Sequence, residues 1–373
     1  MNFKHAVTAP VALCALLALP SQPLMGQSDE KANALLTEAI TEGKMAGAVV
    51  LITRDGETLY STAVGEAQSE PSSRPMEMET VFDMASITKP VSTATAIMCL
   101  VDQGKIDLEA PVAKYWPAFG ANGKETITIT DLMLHRGGLI PDNSLRDYSD
   151  DQAKNWQNLA NLKPTAKPGE KFAYSDVGFQ VLGKVVEEVS GQPLDVFVQE
   201  HIFAPLKMTE STYNPPEPLQ KRAASTEKVG GEWLTGKVHD PRAARMTGVA
   251  GHAGLFSTAA DMTRYGQAMI QEGELDGVKI FSPATFKTMT TPRKVPRGLR
   301  ALGWDVNSPY SSNRPTAMSD AAFGHGGFTG TVLWIDPEQK IVFVFLSNRL
   351  HPDGKGSVNK LAAEVADTIL KTK

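Results

Sequence analysis

The sequence predicts an α+β fold. One antiparallel sheet is built from N- and C-terminal strands, flanked by helices and interrupted by a mainly helical insert. Three observations predict it. Ala46–Thr53 and Leu59–Val64 are apolar, β-branched runs joined by the Asp55-Gly56 turn signal. A second such pair, Gly330–Ile335 and Ile341–Leu346, is joined through Asp336-Pro337-Glu338-Gln339 near the end of the chain. Between these hairpins the apolar spacing is mostly helical, the arrangement expected when strands from both ends form one sheet.

The elements follow in order. Asp29 to Glu42 reads as an amphipathic helix with Ala34, Leu35, Leu36 and Ile40 on its apolar face. Helical signals cover Ser86–Gln103, Asp176–Ser190, Asp195–Ile202 and Thr258–Gln271, and a last helix runs from about Val358 to Leu370. Thr258 with Asp261 fits a capping box. The Pro- and Gly-rich stretch Ser282–Pro309 reads as loop or partial strand, and there are no internal repeats.

With 373 residues, 42% hydrophobic and 21% charged, the chain can bury a substantial core. A net charge of −5, with no basic run and no glycine-rich phosphate loop, argues against nucleic acid. Lys4 and His5 precede an uncharged apolar stretch from Ala6 to Leu19, followed by small and polar residues up to Gly26. This reads as a signal peptide cleaved near Gly26, and hence as a secreted or periplasmic protein. The apolar run is short of the ~20 residues of a membrane span, so no stable span is expected after cleavage. Cleavage removes Cys14 and leaves Cys99 as the one thiol, which excludes an intramolecular disulfide. On these grounds residues 1–26 are a signal peptide and 27–373 a single catalytic domain. Its α/β part spans about 29–85 and 300–373, and its helical part about 86–270.

Chemistry concentrates at Ser86 and Lys89. A serine hydroxyl is a weak nucleophile until a neighbouring group takes its proton. Residues three apart on a helix share a face, with Cβ atoms ~5–6 Å apart. Four Ser-x-x-Lys matches occur: Ser28/Lys31, Ser86/Lys89, Ser225/Lys228 and Ser357/Lys360. Only Ser86 is followed by a nearly uncharged segment, Pro90–Val101, ending at Gln103-Gly104. That segment reads as a buried helix closed by a glycine C-cap, with Pro90 placing its start near Ser86. A helix N-terminus also brings free N–H groups toward a developing oxyanion. The other reading of Ser86 is an N-cap serine beside a solvated lysine.

Two downstream residues join it. Tyr174 stands in Phe172-Ala173-Tyr174-Ser175-Asp176, before a predicted helix. It could be a buried ring followed by a cap, or a phenol that shuttles protons between nucleophile and leaving group. His325 lies in Phe323-Gly324-His325-Gly326-Gly327-Phe328, before a predicted strand, where glycines admit the close approach of a substrate. It could equally be a polar turn residue.

Ser-x-x-Lys at a helix start, a Tyr-x-Asn-like segment, and a Lys/His-x-Gly element on a C-terminal strand together resemble the serine β-lactamase and penicillin-binding protein superfamily. The likeness is nearest to the branch with class C β-lactamases, DD-carboxypeptidases, D-aminopeptidases and related esterases. Gly104–Leu108 with Pro111-Val112, Ile127–Leu139 and Gly251–Thr258 are similar to further family segments, so the resemblance spans nearly the whole mature chain. It implies a β-lactamase/transpeptidase-like fold with Ser86 acylated and Lys89 and Tyr174 sharing proton transfer. The backbone N–H groups of Ser86 and Phe328 would form the oxyanion hole. Asp176, His325 and Gly327 would meet the substrate. No cofactor and no metal is implied; His135 and His252 read as structural, in glycine-rich turns without metal-ligand spacing.

Two departures stand out. Asp176 occupies the usual asparagine position, and a carboxylate accepts where an amide also donates. It is expected to pair with Lys89, keep it charged and shift base duty toward Tyr174. His325 replaces the lysine typical of β-lactamases, and a mostly neutral ring attracts a carboxylate less strongly. The expected protein is a secreted serine hydrolase for small-molecule or peptide substrates, acting on D-amino-acid peptides, amides or esters. A class C-like β-lactamase and a catalytically idle binding protein for cell-wall fragments are the alternatives. Loops such as Pro141–Lys163 and Asn214–Asp240 would select the substrate.

Overall fold

The computed structural model describes Met1 and residues 26–373; the expected signal peptide and Cys14 lie outside the described residues. A nine-stranded antiparallel sheet organises the chain. In chain order its strands are β1 (Gly47–Arg54), β2 (Glu57–Gln68), β3 (Arg74–Pro75), β4 (Arg293–Val295), β5 (Gly298–Arg300), β6 (Asp305–Asn307), β7 (Phe323–Gly326), β8 (Thr331–Asp336) and β9 (Ile341–Ser347). Their spatial order is β4-β5-β6-β7-β8-β9-β1-β2-β3. The two expected hairpins join directly, with Leu51 opposite Val344 and Ile52 opposite Phe343.

The period of two along the central strands divides the core. Ile341, Phe343 and Phe345 face α1 (Gln27–Thr41) and the last helix, α5 (Asn359–Leu370), where Leu36, Val365 and Ile369 meet them. Val342, Val344 and Leu346 face the opposite layer with Met262, Tyr265 and Trp304. Alternate residues of one strand thus serve two cores. Helix α4 (Ala259–Ile270) lies on the second face, and there Gly266 is a packing requirement. A Cβ at this position would fall 2.5 Å from Val342 Cγ1.

Three expectations change. Ser282–Pro309 is not mainly loop: a helix over Pro283–Thr290 leads into β4, β5 and β6, which widen the sheet beyond the two hairpins. The short runs between Gly298, Gly303 and Pro309 hid them, because strands of three residues carry almost no periodic signal. The segment after Ser86 is not one uniform helix. A 3-10 turn over Ala85–Ile87 passes into a π-helical stretch, Lys89–Ala94, and then into α2 (Thr95–Asp102). Its end is as expected, with Gln103 as C-cap and Gly104 at φ +70°. Thr258 caps α4 by accepting from the Asp261 N–H, but the Asp261 carboxylate turns to Ser211 and the Glu210 N–H, so the capping box is only half formed. Cys99 is a buried free thiol of the core. Among the described residues no helix is long and apolar enough to cross a membrane.

The Gly266 contact is testable. Gly266→Ala must push α4 away from β9, and overpacking of this kind costs about 1–3 kcal/mol. Thermal unfolding should show a Tm several degrees lower; an unchanged Tm would mean that the helix shifts freely.

Candidate active site

Ser86 stands where the helical layer meets the sheet, and its approach loop is held from both sides. Ala85, just before it, is buried and adopts φ +45°, a conformation an L-residue keeps only when its surroundings impose it. Thr329 Oγ1 donates to the Asp83 carbonyl at 2.7 Å, and Thr331 Oγ1 to the Met84 carbonyl at 3.1 Å. Asp83 Oδ1 accepts from the Ala85 N–H at 2.8 Å. The β7–β8 turn therefore clamps the loop. A Cβ on Gly327 would lie 2.6 Å from the Met84 oxygen and 2.1 Å from Thr331 Oγ1, so only glycine lets the turn come this close. Among the described residues no backbone or side-chain acceptor engages the N–H of Ser86 or of Phe328. Both residues line the cavity beside the Ser86 hydroxyl.

Lys89 is fully buried beneath the serine. Three oxygens surround its ammonium: Ser86 Oγ at 2.9 Å, the His252 carbonyl at 3.1 Å and Asp176 Oδ1 at 2.7 Å. An ammonium has three protons and no lone pair. Burial works against the charge, yet the Asp176 carboxylate and the Tyr174 phenol hold the Lys89 pKa above its ordinary value. The lysine is a charged donor to Ser86 Oγ, and the serine proton is left free to point elsewhere.

It points toward Tyr174. The phenol interacts with both Ser86 and Lys89, and burial raises its pKa, so it stays protonated. Its ring is gripped in a stack: His135 lies on one side at 4.3 Å between centroids, and Tyr310 at 4.8 Å. The Lys89 ammonium sits 4.9 Å from the Tyr174 ring centroid. Ser175, not Asp176, is the N-cap of α3 (Asp176–Ser190), accepting from Gly178 N at 3.1 Å. This frees the Asp176 carboxylate for Lys89. His135 supports the tyrosine segment by accepting the Ser175 N–H on Nδ1 at 3.0 Å.

His325, on β7, faces the phenol at 3.5 Å through Nε2, while its Nδ1 lies 2.8 Å from the Gly326 carbonyl. A carbonyl only accepts, so the proton sits on Nδ1 and Nε2 presents a lone pair to Tyr174. Burial, then the charges of Arg300 and Lys89, push the His325 pKa well below its ordinary value, and the ring is neutral.

Two cavities open on either side of Ser86. One, of about 630 Å³, is bordered by Asp142, Asp176, Asp240, His252, Tyr310 and Phe328. The other, of about 310 Å³, reaches Arg300, His325, Arg349 and Asn313. Arg300 is fully buried; it pairs with Asp305 at 3.2 Å through Nη1, but its Nε and Nη2 have no partner among the described residues. Sequence reasoning missed Arg300, Asp142, Asp240 and Tyr310, because a lone charged or aromatic residue in a loop or short strand carries no spacing signal. It had the stretch around His252 but gave it no part in the site. The His252 carbonyl holds Lys89, and its Nε2 lies 2.9 Å from Asp240 Oδ1. Asp176, Asp240 and His252 place ligand atoms within 4.8 Å of one another, as a metal site would. The Lys89 ammonium already supplies the cation there.

All seven residues expected at the site are gathered around one point: Ser86, Lys89, Tyr174, Asp176, His325, Gly327 and Phe328. Comparison with known proteins identifies the family. The Beta-lactamase family model matches residues 32–367. The chain is 33% identical to an N-acetylmuramyl-L-alanine amidase of Bacillus subtilis strain 168, over 86% of this chain and 81% of that protein. It is 35% identical to an Escherichia coli K12 protein named as a D-alanyl-D-alanine carboxypeptidase, over 81% of this chain and 78% of the other. A penicillin-binding protein homologue from Caulobacter crescentus shares the fold with a TM-score of 0.77 and 21% identity, over 94% of this chain and 99% of that one.

The buried imidazoles predict a pH dependence of stability. His135 and His325 both have pKa values held well below the ordinary histidine value by burial and neighbouring cations. Each binds a proton in the unfolded chain at a pH where the folded one does not. Stability should be complete above pH ~6.5 and fall as the pH drops below it. Thermal unfolding between pH 7.5 and 5 should show this decline, and His325→Gln should decline less steeply. Parallel curves for the two proteins would contradict the assignment.

Proposed function

The chain is a serine hydrolase of the Beta-lactamase family, and from that premise we propose that it cleaves amide bonds of cell-wall peptides through an acyl-enzyme on Ser86. One observation carries the proposal: the Lys89 ammonium donates to Ser86 Oγ and the His252 carbonyl and pairs with the Asp176 carboxylate at 2.7 Å, which leaves the serine proton to turn toward Tyr174. Ser86 Oγ attacks the carbonyl carbon as its proton passes to the Tyr174 oxygen and, in the same motion, the Tyr174 hydroxyl proton passes to the amide nitrogen, so the phenol stays neutral. The tetrahedral oxyanion is held by the N–H groups of Ser86 and Phe328; losing one such donor typically costs 10²–10³ in rate. The C–N bond then breaks, and the nitrogen already protonated through Tyr174 departs as the free amine. Water then attacks the Ser86 ester by the reverse exchange, regenerating the hydroxyl. Throughout, Lys89 remains a fixed positive charge and His325 Nε2 orients the phenol.

The position of His325 sets the direction of the substrate. The leaving amine must meet Tyr174 on the His325 side, in the smaller cavity, and the acyl group then lies in the larger one. Arg300 borders the smaller cavity, its Nε and Nη2 buried and without a partner among the described residues, and its charge favours the carboxylate of a departing amino acid on this side. This supports peptidase-like work over simple ester hydrolysis. The names of the two curated relatives, an amidase and a carboxypeptidase, point to the same bond type. An acceptor-only Asp176 and a neutral His325 weigh against efficient β-lactam turnover, and an intact Ser86–Lys89–Tyr174 group weighs against an idle binder. Cell-wall peptides lie outside the cytoplasm, in keeping with export by the N-terminal segment.

Intact-mass measurement of the protein exposed to a small ester, a penicillin and a D-Ala-D-Ala peptide provides the test. An acyl adduct should form on the wild type and be absent in Ser86→Ala. Tyr174→Phe should acylate ~10²–10⁴-fold more slowly, and Asp176→Ala should lose less. Equal acylation by these last two variants would overturn the assigned roles of Lys89 and Tyr174.

A further inference from the structure

The two donors of the proposed oxyanion hole come from distant parts of the chain. Ser86 follows Ala85, held at φ +45°, and Phe328 lies in the turn between β7 and β8. A donor that turns away no longer reaches the tetrahedral oxygen, so whatever joins the two segments sets the strength of the hole. The Phe328 side chain does little to anchor its own segment, because it is 60% exposed.

One buried residue touches both segments. The Asp83 carboxylate gives each oxygen to a main-chain donor, Oδ1 to the Ala85 N–H at 2.8 Å and Oδ2 to the His239 N–H at 2.7 Å. Its backbone carbonyl accepts from Thr329 Oγ1, on the residue next to Phe328. His239 in turn stacks its imidazole on the Phe328 ring, with centroids 5.6 Å apart and planes inclined by 26°. The contacts close a circuit: from Asp83 to Thr329, from Phe328 to His239, and from the His239 N–H back to Asp83. The Ala85–Ser86 loop branches from its start. The His239 ring is steadied in turn, with Nε2 2.8 Å from Glu227 Oε1 on the strand Ser225–Val229. Arg349 also meets the Phe328 ring, its guanidinium 4.5 Å from the centroid, but its Nη1 donates to the Gly356 carbonyl, away from the Ser86 loop.

We propose that Asp83 and His239 are positioning residues for the oxyanion hole: the carboxylate and the imidazole together fix the Ser86 and Phe328 N–H groups relative to one another. The inference rests on the acyl-enzyme reading above and adds to it two residues outside the proton-transfer group. Both act through the backbone of their neighbours. Their loss should therefore weaken ligands that place a negative oxygen in the hole more than ligands that do not, a difference that a role in folding alone would not produce.

Two ligands with the same side chain read the hole directly. The boron of phenylacetamidomethylboronic acid takes Ser86 Oγ as a fourth ligand and becomes an anionic tetrahedron, whereas the terminal carbonyl of N-phenylacetylglycinamide stays planar. Calorimetric Kd values give the preference for the boronic acid over the amide, whatever fraction of a preparation is active. His239→Ala should reduce this preference at least ~5-fold, a part of the 10²–10³ that one whole donor carries. His239→Phe keeps a flat ring for Phe328 and leaves the half-exposed Glu227 to water, and should restore most of the preference. Asp83→Asn has one accepting oxygen for two N–H groups and should also lose at least ~5-fold; if it does not fold, the two His239 variants decide. A smaller loss in His239→Ala overturns the proposal. So does an equal loss in His239→Ala and His239→Phe, which would assign the effect to the Glu227 pair. A boronic acid that binds Ser86→Ala as tightly as the wild type would instead defeat the acyl-enzyme reading itself.

Discussion

The buried ammonium of Lys89 is the constraint around which the site is built. Moving an ammonium out of water costs several kcal/mol even after relaxation, and the cost is offset only where good acceptors converge. Here they come from three places in the chain: the loop before α2, the start of α3 and the glycine-rich segment at His252. Satisfying this one cation draws the helices together at the point where the sheet edge delivers Gly327 and Phe328. Because Ser86 is one of the acceptors, the interaction that makes burial tolerable also fixes the hydroxyl proposed as nucleophile. Removing Asp176 would leave a charge with too few partners, so its function and its contribution to the fold cannot be separated.

Much of this was legible in the sequence, for reasons that differ by residue. The two end hairpins were visible because β-branched runs and an Asp-Gly turn are local signals, and β1 and β9 do pair as expected. Ser86 stood out from three other Ser-x-x-Lys matches because an uncharged helix followed it, and Lys89 is indeed buried. The Lys89–Asp176 pair, 87 residues apart in the chain, was anticipated from charge complementarity at two motif positions. What stayed hidden was non-local. Strands β4 to β6 are too short to show a period. Tyr310 and Arg300 gain their meaning from what they face: Tyr310 from the Tyr174 ring, Arg300 from a cavity wall. The carbonyl of His252 is a backbone group, and no side-chain pattern announces it.

The two flanks of Ser86 differ in electrical character. On one side carboxylates dominate, with Asp142, Asp176 and Asp240 close together. On the other, Arg300 and Arg349 line the wall with a neutral His325 between them and the nucleophile. Lys89 stands beneath both. A substrate that is rich in hydrogen-bond donors at its acyl end and anionic at its amine end is aligned by this field before any contact is made.

The column of stacked rings His135–Tyr174–Tyr310 has a kinetic consequence. The tyrosine in the middle is the proposed proton carrier, the histidine below is packed in the core, and the tyrosine above is open to solvent. Anything that seats itself on Tyr310 presses on the ring that positions the reacting hydroxyl. Attraction for a distant part of the substrate is thereby transmitted to the bond being broken. It can then be expressed as faster turnover rather than tighter holding. A truncated substrate would occupy the site and wait there, bound but slow. Discrimination in such an enzyme is exercised at the moment of reaction, and a survey of binding constants alone would overlook it.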